Sequence, residues 1–171
     1  MAYYLNLMAG DCIMAVGVVG YEGLTFLEGA FTMYENILVP LDGSANANKA
    51  LDVAVEFCKV FHAKVTALSV IHHIKDDSDA LSSDIYKGLS TKAHKIVESC
   101  RDQAWNQGVT INGVVEDGNP KQKIVEFAKE NDIDLIIMGK TGMNAFDRMI
   151  LGSTTNHVVR ESGTQVLVVN A

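Results

Sequence analysis

Positive charge is scarce and unevenly placed in this chain: of 171 residues, 14 are Lys or Arg, and the first of them is Lys49. A secretory signal needs a cationic start, so the apolar, glycine-rich stretch 12–21 does not read as one. It is also far shorter than the roughly 20 residues that cross a bilayer. No cluster of Lys and Arg appears later, and a net charge of −7 argues against a nucleic-acid partner, whose phosphates demand clustered cations. Cysteine is nearly absent. Cys12, Cys58 and Cys100 are odd in number and far apart, with no C-x-x-C spacing, which speaks against a disulfide framework or a zinc site and suits a reducing cytoplasm. There is no G-x-S-x-G elbow, and no Ser-His-Asp set is legible from spacing. His62, His94 and His157 stand alone and read as surface or helix residues. No catalytic machinery is written in the sequence.

What is present suffices for one soluble domain. A chain with 48% hydrophobic and 20% charged residues can bury one substantial core and is too short for two ordinary ones. From Asn36 onward strand and helix patterns alternate, as in βαβ units on a parallel sheet. Residues 37–41 form a continuous apolar strand, Ser44 is an N-cap, and Ala50, Leu51, Ala54, Phe57, Cys58 and Phe61 recur at helical spacing. Residues 64–71 read as a second strand. Ile85, Leu89, Ile96, Val97, Cys100 and Ala104 define a long amphipathic helix stopped by Gly108. Residues 109–116 read as the third strand, and Asn119-Pro120 opens a helix through Ile124, Phe127 and Ala128 to about Asn131. A fourth strand at 134–138, a last helix at 153–161 and a fifth strand at 166–169 complete the pattern. The domain is expected to occupy residues 34–171. Residues 1–33 form an extension, in which the alternation Ile13, Ala15, Gly17, Val19 or the run 24–31 adds an edge strand or a short helix against a partner subunit.

The fourth strand runs straight into Gly139-Lys140-Thr141-Gly142, and nine residues further on stands Gly152-Ser153-Thr154-Thr155. Glycine lacks a Cβ, so backbone N–H groups at these turns can approach an anion closely, and Gly152 leads into a helix start. The pattern reads as a phosphate cradle; the plainer reading is three turns between strand and helix. It is not a P-loop, because the position five residues before Gly139 is Asp134, nor a dinucleotide fingerprint, because the spacing is two and then nine. A rival grouping, His72, His73, Asp76, Asp77 and Asp79, follows the second strand on the same sheet edge. Its spacing is irregular and offers no histidine pair at i and i+4, so a solvated polar loop is the expectation.

The series Gly139-x2-Gly142-x9-Gly152-Ser153 resembles the ATP-binding signature of the universal stress protein family. Residues 33–44, ending in Pro40-Leu41-Asp42-Gly43-Ser44, resemble the opening of such domains, and Val166-Leu167-Val168-Val169 resembles their closing strand. The resemblance covers Met33 to Ala171. It departs at Gly163-Thr164-Gln165, where many members carry a Pro-Cys-Pro type approach, and at Thr154, where a Val often follows Gly-Ser. The first departure touches a turn; the second bears on a contact near the phosphates or at the subunit interface.

The resemblance implies a single doubly wound sheet of five parallel strands in the order 3-2-1-4-5, Rossmann-like and of the adenine nucleotide alpha hydrolase type. Ligands bind such sheets where the strand order reverses. There Pro40, Leu41, Asp42 and Ser44 would face Met138, Gly139 and Gly142. Asp42 is suited to accept hydrogen bonds from ribose hydroxyls or to hold Mg²⁺ or Mn²⁺ bound to phosphates, and equally to bond the backbone of its own turn. Ser153, Thr154 and Thr155 offer hydroxyls and N–H groups at a helix start, where Ser153 alternatively caps the helix. Val70 and Met138 are apolar walls for an adenine, or simply core. Lys140 would neutralise a phosphate or stand as a solvated surface residue, and Arg148 carries the same two readings. The expected protein is a cytoplasmic homodimer joined through its C-terminal strand, an open edge that invites pairing. It binds ATP, has neither nucleic-acid nor membrane partners, and senses or signals nucleotide state in a stress response. The alternatives are a slow Mg-dependent ATP hydrolase or nucleotidyl-transfer enzyme, and a non-nucleotide dimeric interaction subunit whose glycines only turn the chain.

Overall fold

The computed structural model describes residues 3–9, 12–20, 23–25, 33–72, 80–142 and 151–171. The chain divides into two compact units, Met1–Met33 and Tyr34–Ala171. The first unit holds an antiparallel sheet, β1 (Tyr3–Ala9), β2 (Cys12–Gly20) and β3 (Gly23–Thr25), in that order. The alternating residues 13–19 thus lie in β2. Most of the run 24–31 falls outside the described residues.

The second unit is a five-stranded parallel sheet, β4 (Asn36–Pro40), β5 (Lys64–Ile71), β6 (Asn112–Asp117), β7 (Leu135–Gly139) and β8 (Gln165–Val169). The order is β6-β5-β4-β7-β8, which is 3-2-1-4-5 when this unit's strands are counted alone. The crossovers carry α1 (Ala45–Phe61), α2 (Ala80–Asn106), α3 (Pro120–Glu130) and α4 (Ser153–Glu161). Ile37, Leu38 and Val39 are fully buried, as are Ile136 and Ile137, because both faces of these strands are covered. That is why they read as unbroken apolar runs. Alternate residues feed alternate cores: Ile37, Val39, Val65, Ala67 and Ile137 pack with α1 and α2, while Leu38, Leu68, Ile136 and Met138 pack with Ile124, Ala128 and Val158 of α3 and α4.

The sequence reading of the third strand needs correction. The ladder begins at Asn112, not Val109. Gly108, at φ +79°, ends α2 in a Schellman motif, with Gly108 N–H bonded to Trp105 O at 2.9 Å and Val109 N–H to Ala104 O at 3.0 Å. Val109 and Ile111 are buried on the way out of that turn, so their apolar character comes from core packing ahead of the strand.

One defect in the sheet positions the site. β4 runs beside β5 as far as Pro40↔Leu68, but pairs with β7 only at Ile37↔Leu135 and Leu38↔Ile136. Leu41 N–H points to β5, bonding Leu68 O at 2.8 Å. Successive N–H groups along a strand point to opposite neighbours, so the nitrogen of Pro40 faces β7, and proline has no hydrogen there to donate. β4 and β7 therefore part beyond Leu38, where the strand order reverses.

Candidate functional site

The parted strands open a cleft of about 450 Å³, within the range of roughly 300–1,000 Å³ usual for small-molecule sites. Pro40, Leu41, Met138 and Gly139 come from the ends of β4 and β7; Leu68, Val70 and His72 from β5; Pro120 and Ile124 from α3. Facing that largely apolar side are Asp42 and Ser44, the turn at Thr141 and Gly142, and Gly152 to Thr155 at the start of α4. Of the residues 40–42, 44, 70, 138–140, 142 and 152–155 assigned to the nucleotide site from the sequence, all but Lys140 line this space. Lys140 contributes structure: its N–H bonds Val169 O at 2.7 Å, and its carbonyl accepts Gly152 N–H at 2.9 Å. Arg148, His73, Asp76, Asp77 and Asp79 lie outside the described residues.

The three glycines serve three different neighbours. A Cβ on Gly139 would sit 2.7 Å from Asn46 Cβ and 2.8 Å from the Asn46 carbonyl carbon, so the missing side chain is what lets α1 close on β7. A Cβ on Gly152 would stand 3.2 Å from both Lys140 O and Thr141 Cα, which keeps the start of α4 against the turn. Only at Gly142 does the missing side chain leave room on the cleft side, where a Cβ would run into Asp42 Oδ2.

Two helices begin at the cleft. Ser44 caps α1, its Oγ accepting Ala47 N–H at 3.2 Å. Gly152, not Ser153, is the N-cap of α4, and it has no side chain to satisfy the helix's first N–H groups. Asn156 N–H is the first to close back, on Gly152 O at 2.8 Å. Ser153, Thr154 and Thr155 thus bring backbone donors to the cleft that find no acceptor among the described residues, at the positive end of a helix dipole. The Thr155 hydroxyl, 3% exposed, is committed to Gly139 O at 2.9 Å and holds the two halves of the turn together. Asp42 bonds its own turn, Oδ1 accepting Ser44 N–H at 2.9 Å, while Oδ2 lies toward Gly142.

Ala47, Leu68, Pro120, Ile124 and Thr141, which the sequence does not assign to the site, also line the cleft, as does His72 of the rival His/Asp grouping. Leu68 was accessible by strand period, since it shares a face with Val70. Pro120 was accessible as a helix start following a strand end on the same edge. Among the described residues no three His, Cys, Asp or Glu side chains gather as a metal site, and no helix is long and apolar enough to cross a membrane.

With this geometry in hand, comparison with known proteins is specific. The model of the universal stress protein family matches residues 33–170. The chain is 34% identical over 143 residues to a universal stress protein of Methanocaldococcus jannaschii, covering 80% of this chain and 82% of that protein. Among solved structures, the universal stress protein UspA of Lactobacillus plantarum superposes with a TM-score of 0.73 at 30% identity, over 80% of this chain and 97% of that one. A universal stress protein solved in complex with cAMP does so with a TM-score of 0.65 at 28% identity, over 80% and 97%.

Proposed function

This chain belongs to the universal stress protein family, and from that premise we propose that its cleft binds ATP and that the protein acts as a nucleotide-dependent sensor or regulator in a stress response. The observation that carries this reading is the start of α4, where backbone donors of Ser153, Thr154 and Thr155 line the cleft with no acceptor among the described residues, opposite an apolar wall. Phosphates suit the first and an adenine suits the second. The structural neighbour with cAMP supports a nucleotide of this general kind.

The fit has one electrostatic condition. Asp42 Oδ2 lies beside Gly142, on the side where the phosphates belong, and two anions there repel. A divalent cation, Mg²⁺ or Mn²⁺, would relieve this repulsion by neutralising charge between carboxylate and phosphates, and Asp42 is the residue that would hold it. The protein works as a cytoplasmic homodimer joined through β8, a reading supported by the position of that strand at the open edge of the sheet and by Val168, 36% exposed there.

Mass spectrometry of ligand released from freshly purified, denatured protein, together with calorimetry using ATP, cAMP, AMP and adenosine, tests the reading. ATP is expected to bind more tightly than adenosine and to weaken on chelation of divalent ions, with phosphate release well below the ~1 s⁻¹ at the low end of ordinary turnover. Equal affinity for ATP and adenosine would remove the phosphate role from α4, and tighter binding of cAMP than of ATP would reassign the ligand.

A further inference from the structure

Asn46 is the second residue of α1 and does not itself line the cleft. Its amide is nevertheless engaged at both ends by other elements. Nδ2 donates to Thr141 Oγ1 at 2.7 Å and to Thr141 O at 3.2 Å, while Oδ1 accepts Ala171 N–H at 2.7 Å. Its own Cβ and carbonyl carbon form the surface on which Gly139 rests. Thr141 bears in turn on the start of α4, its Cα lying 3.2 Å from where a Cβ of Gly152 would be. A single side chain thus reaches, through Thr141, both turns of the cradle.

We propose that Asn46 is the positioning residue of the phosphate side of the cleft, and that it couples that side to the end of β8. The inference rests on the nucleotide reading above. The turn from Gly139 to Gly142 has two glycines, which lose more freedom on ordering than other residues and offer no side chain to anchor them. Beside the backbone bonds of Lys140 to Val169 and Gly152, Thr141 is a side-chain anchor of the turn, and Asn46 is what holds it. A carboxamide suits the place because it donates at one end and accepts at the other. Turning it over would set Nδ2 against the Ala171 N–H and Oδ1 against the Thr141 carbonyl, so its two sets of partners specify one orientation. Coupling through a shared residue is reciprocal. A ligand that holds Thr141 in place also favours the Ala171 bond, and whatever pairs along β8 acts back on the cleft.

The test uses the full chain as wild type, Asn46→Ala and Asn46→Asp, titrated with MgATP and separately with adenosine. Asn46→Asp keeps the size and the acceptor for Ala171 but removes the donor to the Thr141 carbonyl, so it serves if the alanine variant folds poorly. Both variants are expected to lower MgATP affinity about tenfold, the effect of one to two neutral hydrogen bonds, with adenosine affinity changed less than about twofold. Loss of both ligands in parallel would indicate a general structural role and overturn the assignment, as would wild-type MgATP affinity in both variants. Hydrogen exchange of the C-terminal peptide reads the coupling. MgATP is expected to slow exchange at Ala171 in wild type and not in Asn46→Ala, and equal slowing in both would overturn it. Wild type that binds adenosine but not MgATP would sink the phosphate reading itself along with this inference.

Discussion

Replacing Gly139 by alanine asks whether that glycine serves the ligand or the fold. The new methyl would stand 2.7 Å from Asn46 Cβ, 2.8 Å from the Asn46 carbonyl carbon and 3.0 Å from Ala47 N. Unstrained carbon contacts need about 3.5–4.0 Å, so a gap of roughly 1 Å must be found. Two of the three atoms are main chain in the first turn of α1, where Ala47 N–H is tied to Ser44 Oγ and Asn48 N–H to Ser44 O. Side-chain rotation cannot relieve the contact; α1 has to lift from β7. That helix buries Ala47, Ala50, Leu51, Ala54 and Val55, and overpacking of such a core costs ~1–3 kcal/mol. At about 2–4 °C per kcal/mol for a chain of this size, the thermal midpoint should fall by roughly 2–12 °C. Scanning calorimetry gives the midpoint, and titration with MgATP on the same sample shows whether the displaced Asn46 loosens the cradle. A midpoint within about 1 °C of wild type would refute the packing account, because ~1 kcal/mol already shifts it further. If ATP binding were lost at that unchanged midpoint, Gly139 would be there for the phosphates.

Gly142→Asp is the contrasting case: it sets a second carboxylate against Asp42 at an exposed turn, so MgATP affinity should drop on the order of a hundredfold while the midpoint barely moves, and unchanged binding by calorimetry would dismiss the cradle. Gly88→Ala, inside α2 with nothing within 4 Å of the new Cβ, should stabilise by ~0.5–1 kcal/mol, seen as a rise of about 1–4 °C in the midpoint. Burial pushes the Cys100 thiol up to about 11 from its ordinary 9.0. The neutral thiol is favoured in the fold, so its contribution is full below pH 9 and is lost as pH rises from there through about 11. Denaturant midpoints at pH 8 and pH 10.5 should therefore diverge more in wild type than in Cys100→Ala, and equal losses would place the thiolate in a solvated site.

Much of the fold was legible because the strands are buried on both faces and the helices are punctuated. Ser44 caps α1, Asn119 and Pro120 open α3, and α4 spans residues 153–161, as the local signals indicate. Strand order was not written in any local pattern and came with the family resemblance. Within the site, the residues on the turns could be found in sequence, but what they touch could not. Gly139 reads as room for an anion, and its neighbour turns out to be α1, which no spacing announces. Asp42 has one carboxylate oxygen bonded within its own turn and the other toward Gly142, an arrangement that sequence spacing does not reveal. Asn46 and Thr141, 95 positions apart, become partners only once β4 and β7 are neighbours.

The short pairing between β4 and β7 has a mechanical side. On one flank β6, β5 and β4 are laced along their length, and on the other β7 and β8 are laced from Leu135↔Gln165 to Gly139↔Val169. These are two stiff panels. They meet at a seam closed by Ile37↔Leu135 and Leu38↔Ile136, with Asp134 N–H on Asn36 O at 3.1 Å below it and the Asn46 to Thr141 bonds above. A molecule wedged in the open end, touching both panels, works as a rivet. In a single-molecule pulling experiment that loads one panel against the other, this seam should yield before any other strand pair, and bound nucleotide should raise the force at which it does.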